Sequence, residues 1–119
     1  MSTIKVNTIQ NASGVEQYTC KAWVNFNGTG TVAIRGSGNV SSVTDSGLGD
    51  YTINFTTALP DSNYSLVCSA GQPQSGAGMN IIGRNMDNQV QTTTAVRIYS
   101  LTTANSVQDN PNISVSVFR

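Results

Sequence analysis

From Asp50 to Thr57 the chain reads Asp-Tyr-Thr-Ile-Asn-Phe-Thr-Thr, with a large apolar side chain at every second position. Successive side chains of an extended strand point to opposite faces. Tyr51, Ile53 and Phe55 therefore share one face, and Asp50, Thr52, Asn54 and Thr56 the other. Residues two apart do not share a side of a helix, so this segment buries its apolar set only as half of a two-sided sheet. Leu59-Pro60-Asp61-Ser62-Asn63 then closes the strand in a proline-bearing corner.

The same spacing recurs along the chain. Cys20, Ala22, Val24 and Phe26 alternate with Lys21, Trp23 and Asn25 in a strand over 17–26. Asn27-Gly28-Thr29-Gly30 supplies the positive φ angles of a hairpin turn. Residues 31–35 return beside it, Gly36-Ser37-Gly38 is expected to break that strand, and 39–43 form a short further one. Tyr64, Leu66, Cys68 and Ala70 alternate with Ser65, Val67 and Ser69. Further strands are expected over 80–84, over 92–101 around Val96 and Ile98, and over 113–117. Residues 44–49, 71–79 and 102–112 read as loops, and 86–91 as a weakly patterned connection. Apolar residues nowhere recur at helical spacing with caps. The expectation is an all-β chain: one antiparallel β-sandwich over 16–119, jelly-roll or lectin-like.

Residues 1–15 form an arm. Ile4, Val6 and Ile9 are apolar but irregularly spaced, and Asn11-Ala12-Ser13-Gly14 ends the segment. Two readings stay open: a first edge strand or frayed terminus, and a strap that crosses onto a neighbouring subunit. Self-association has its own rationale. Strand 20–26 carries apolar or aromatic residues on both faces and needs a second covering surface, which a homotrimer provides by burying one patch three times. Six basic residues against six acidic ones leave little repulsion between copies.

Composition limits the chemistry. Charged residues make up only 10% of the 119 residues, so hydroxyls and amides form much of the surface. Without a basic patch, nucleic acid is not an expected partner. Histidine is absent, which removes the commonest general base and transition-metal ligand. No apolar run is long enough for a membrane-spanning helix, and the N-terminus lacks a secretory signal, so synthesis in a cytoplasm is expected and membrane insertion is not. Six Asn-x-Ser/Thr triplets follow from composition and carry no expectation of glycosylation. Cys20 and Cys68 read as two buried free thiols, a disulfide between neighbouring strands being the other option.

Catalysis is not expected. Glu16, Asp45, Asp50, Asp61, Asp87 and Asp109 fall at strand ends or in loops, where each caps a turn. A carboxylate pair of a glycosidase and a calcium site at Asp45 and Asp50 are both weak readings. No cofactor is implied. Two pairs stand out as binding or subunit-interface residues. Trp23 and Asn25 lie on the Lys21 face, where the indole is either a stacking platform for a sugar or a packing anchor. Arg97 and Tyr99 face away from Val96 and Ile98.

Residues 19–30, Thr-Cys-Lys-Ala-Trp-Val-Asn-Phe-Asn-Gly-Thr-Gly, and 49–64, Gly-Asp-Tyr-Thr-Ile-Asn-Phe-Thr-Thr-Ala-Leu-Pro-Asp-Ser-Asn-Tyr, together resemble small β-domains of bacteriophage tail-fibre and virion structural proteins, especially those of cyanophages. The lead-in Ile4-Lys5-Val6-Asn7-Thr8-Ile9-Gln10 is similar to theirs, and the likeness spans about residues 1–68. It implies a non-enzymatic, trimeric, virion-borne sandwich in contact with host-surface glycan and with other phage structural proteins. A tail fibre has a long shaft that a 119-residue chain lacks. That departure raises the alternative of a capsid decoration protein, a cement that clamps the head through the arm.

Overall fold

The computed structural model describes residues 2–71 and 91–119, and the backbone of 80–84. The described residues form eight strands: β1 (Cys20–Asn27), β2 (Ala33–Gly38), β3 (Val40–Gly47), β4 (Asp50–Phe55), β5 (Ser65–Gly71), β6 (Asn80–Arg84), β7 (Ala95–Thr102) and β8 (Asn112–Phe118). There is no helix among the described residues. The strands form two four-stranded sheets, β2-β1-β8-β5 and β3-β4-β7-β6, and every pairing is antiparallel.

The apolar face of each sheet closes on the other, an arrangement compatible with a β-sandwich. Ala22, Val24 and Phe26 of β1 and Ile113, Val115 and Val117 of β8 share one core with Tyr51, Ile53 and Phe55 of β4 and Val96 and Ile98 of β7. Phe26 and Tyr51 meet edge to face across the two layers, ring centres 5.2 Å apart. Phe55 and Tyr64 repeat that geometry at 5.8 Å. Full burial of side chains this size contributes about 1.5–3 kcal/mol each, which makes the period-two pattern the main determinant of the fold. Leu66, Cys68 and Ala70 of β5 pack on the same core, half-buried at its margin.

The chain passes from one sheet to the other at Asn39. Its φ of 54° lies in the left-handed region, which Asn tolerates better than most residues. The side chain then holds the corner. Oδ1 accepts from the Thr57 backbone N–H at 2.8 Å, and Nδ2 donates to the Lys21 and Thr57 carbonyls, each at 3.1 Å.

Several expectations need correction. Gly36-Ser37-Gly38 does not break a strand but forms the second half of β2, because the two glycines make room for an aromatic ring described below. β3 continues to Gly47, through residues expected to turn. Cys20 is exposed, since it precedes the register shift before Ala22 and lies past the edge of the core. No disulfide joins it to Cys68. β8 lies between β1 and β5, which separates the two cysteines by two strand spacings, about 10 Å, beyond the ~7 Å Cα limit for a bridge. Residues 102–112 are not simply an exposed loop. They turn at Asn105 and return along the end of β7, and Asn110 is fully buried. Residues 72–79 and 85–90, which hold one expected loop and most of a connection, lie outside the described residues.

Candidate binding surfaces

Trp23 and Asn25 point outward from β1, on the face of the first sheet away from the core. Trp23 is 45% exposed. Its register partners are Gly38 on β2 and Ser116 on β8. The indole leans over β2. A Cβ at Gly38 would stand 2.5 Å from Nε1, and one at Gly36 3.2 Å from the far edge of the ring. Glycine at 38 lets the ring lie down on the strand, and glycine at 36 leaves its far edge uncrowded. Asn25 is fixed beside it: Nδ2 donates to the Ser114 hydroxyl at 3.1 Å, and Oδ1 accepts from Arg35 at 3.4 Å. The result is an aromatic plane set among amide and hydroxyl groups.

Arg97 and Tyr99 belong to the opposite outer face, on β7 of the second sheet. The structure does not bring the two pairs together. The Arg97 guanidinium grips Asp50 with two parallel hydrogen bonds, Nε to Oδ1 at 2.8 Å and Nη2 to Oδ2 at 2.5 Å. Tyr99 is the register partner of Asp50 and half-buried. The sequence reading placed Arg97 and Asp50 on outward faces without pairing them, because the register of β4 against β7 is a long-range fact.

Asp45 and Asp61 are also engaged. Asp45 Oδ1 accepts from the Gly47 backbone N–H at 3.1 Å. Among the described residues, no group of three His, Cys, Asp or Glu is placed to hold a metal ion. Asp61 forms a two-bond pair with Arg119 at 2.8 and 2.6 Å and accepts from the Asn63 N–H. The Arg119 hydrogen bond, with the Asn63 N–H behind it, holds the Asp61 carboxyl down to about 2, against an ordinary 3.8. The native pair therefore adds stability that is complete above pH 3.8 and is lost as pH falls through about 2. The expected result is a thermal midpoint for the Asp61→Asn variant that trails the parent's at neutral pH by a small margin. That margin disappears in scans taken between pH 3.8 and 2.

One polar cluster was not foreseen. At the end of the sheets near the β1–β2 turn, the Tyr51 hydroxyl sits 2.8 Å from the Gly28 carbonyl oxygen and 2.9 Å from Asp109 Oδ1, two acceptors sharing its proton. Asp109 Oδ1 also accepts from the Gly49 N–H at 2.8 Å. The Asn110 side chain donates to the Ser100 hydroxyl at 2.6 Å, and the Asn110 backbone carbonyl accepts from the Gly28 N–H at 2.7 Å. Burial, reinforced by Asp109, pushes the Tyr51 hydroxyl far above its ordinary pKa, so it remains a protonated donor. This network fastens two turns and the 108–110 segment to one another. A tyrosine at an inward position, unlike phenylalanine, was the available signal, since a buried hydroxyl needs a partner.

The arm stands apart from the core. Gln10 and Glu16 form an antiparallel bridge, and Gln17 donates its backbone N–H to Ile9. The turn between them is closed by Asn11 Oδ1, which accepts from the Ser13 and Val15 N–H groups at 3.0 Å. The small hairpin thus extends through residue 17. Ile4 is 87% exposed and Tyr18 78%, and Val6, Ile9 and Val15 are exposed as well. Beside the root of β1 the arm borders a groove of about 440 Å³ whose lining includes Lys5, Val6, Tyr18, Lys21 and Arg119.

No family model, no curated protein and no solved structure matches this chain.

Proposed function

We propose that this chain is a non-enzymatic virion structural protein, a tail-fibre-like β-domain displayed on a bacteriophage particle, which attaches to host-surface glycan through the outer face of its first sheet. The virion assignment rests on the resemblance of residues 19–30 and 49–64, and the observation that carries glycan attachment is the Trp23 plane, laid on a glycine-lined strand and bordered by Asn25, Ser114 and Ser116. An exposed indole stacks on the apolar face of a sugar ring, and neighbouring amides and hydroxyls meet the ring's own hydroxyls. The engagement of Asp50, Asp61 and Asp109 by named partners supports a binding role over hydrolysis. The sandwich in this reading is lectin-like and works as a homotrimer. The localisation is the virion surface, after synthesis in the host cytoplasm.

A second reading, capsid decoration, is favoured by the arm. Five exposed apolar side chains in the arm and its junction with β1 are costly to leave in water, and docking them on another subunit removes that cost. Imaging of labelled protein on intact particles separates the two. Density at the tail tip supports attachment and density on the shell supports decoration. Absence from the particle defeats both.

The arm also yields a test of assembly. Deleting residues 1–15 removes no side chain of the shared core, so the thermal midpoint of the domain is expected to stay the same. The mass measured by light scattering is expected to fall from three chains to one. A trimer that survives the deletion places the subunit contact elsewhere.

A further inference from the structure

Charge is distributed unevenly between the two sheets. The four strands of the first sheet carry two cations, Lys21 and Arg35, and no carboxylate. The strands of the second sheet carry Asp45 and Asp50 against Arg84 and Arg97, a balanced set. Lys21 precedes Trp23 by two residues, beside the register shift before Ala22, and its ammonium donates to the Thr19 hydroxyl at 3.3 Å, which sets it on the arm side of the indole. Arg35 reaches the other side of the indole, where its guanidinium touches Asn25 and retains further N–H donors. Both cations are exposed. At the root of the arm, Lys5 and Arg119 join Lys21 around the groove against a single carboxylate, Glu16, and Arg119 is already held by Asp61. An aromatic plane with a cation on each side, on a sheet whose strands lack carboxylates, is complementary to a chain of sugars that carries its own acid groups.

We propose that the Trp23 face binds an acidic polysaccharide rich in uronic acids. The indole stacks on one ring, and Lys21 and Arg35 hold the carboxylates of the rings on either side. Arg35 offers the planar fork that suits a carboxylate, and Lys21 a point charge. The proposal rests on the attachment reading above and adds the class of sugar.

Trp23 is the chain's only tryptophan, so its fluorescence reports this face alone. The experiment titrates the full chain with an alginate hexasaccharide, with neutral cellohexaose and with a thymidine octanucleotide, and repeats each titration by calorimetry. The alginate fragment is expected to change Trp23 emission and to bind about tenfold or more tighter than cellohexaose at low salt, the ratio one charged hydrogen bond supplies. That advantage is expected to shrink in high salt and to vanish in the Lys21→Gln/Arg35→Gln double variant, whose exposed substitutions leave the thermal midpoint unchanged. Equal binding of alginate and cellohexaose overturns the acidic-sugar assignment and leaves glycan attachment standing. Binding of neither sugar overturns both. Tighter binding of the oligonucleotide than of alginate also overturns the proposal.

Discussion

Replacing Gly49 with alanine is expected to be severely destabilising for a change of one methyl group. Gly49 has φ +61°, a conformation that costs an L side chain energy wherever it occurs. The space is closed as well. The added Cβ would stand 2.6 Å from the Gln108 backbone nitrogen and 2.6 Å from the Ser100 carbonyl oxygen. Neither neighbour is a flexible side-chain tip. Both take part in the return of the 108–110 segment, where Gln108 donates its N–H to Ser100. Strain and overpacking together amount to about 3–5 kcal/mol. Gly30 is the matched control. Its φ is +60° and nothing lies within 4 Å of a Cβ there, so Gly30→Ala carries the strain alone, about 1 kcal/mol. Urea denaturation of the two variants makes the comparison. Equal losses would show that the close approach at Gly49 carries no weight.

Asp109→Ala is expected to cost about 2–3 kcal/mol, more than a half-buried loop residue ordinarily would. Its Oδ1 is the acceptor for both the Gly49 N–H and the Tyr51 hydroxyl, so truncation strands one buried donor and leaves the other with the Gly28 carbonyl alone. Asp109→Asn retains an oxygen in that place and is expected to recover more than half of the loss. Coupling identifies the cause. Tyr51→Phe removes one of the two donors, so the double variant Asp109→Ala/Tyr51→Phe should lose measurably less than the two single losses combined. Strict additivity in a denaturation cycle would mean that the two side chains act independently.

Those two residues also mark where reading the sequence succeeds and where it stops. The alternation of Tyr51, Ile53 and Phe55, and of Ala22, Val24 and Phe26, assigned each of them to the inner face, and all are buried there. That information is local, because the pleat ties face to position within one strand. Trp23 and Asn25 were placed on an outer face for the same reason. What the indole rests on was not legible. Gly36 and Gly38 look like strand breakers until β2 is known to lie beside β1 in a register that sets them under the ring. The separation of Trp23 from Tyr99 is of the same kind, since strand order decides which sheet each one occupies. Asp109 and Gly49 are 60 positions apart, and nothing in either neighbourhood announces the other. Asn39 was within reach of local reasoning, as an Asn between a glycine-rich strand and a valine, but its role appears only when Lys21 and Thr57 arrive around it.

The way the arm joins the domain has a mechanical consequence. Residues 1–19 lead directly into β1, a central strand bonded to β2 on one side and to β8 on the other. Tension arriving through the arm along the strand axis would therefore be shared in shear by two ladders at once, where an edge strand would peel from one ladder a bond at a time. Pulled from its leading segment, the domain would thus yield by sliding of a whole sheet and not by unzipping from one side.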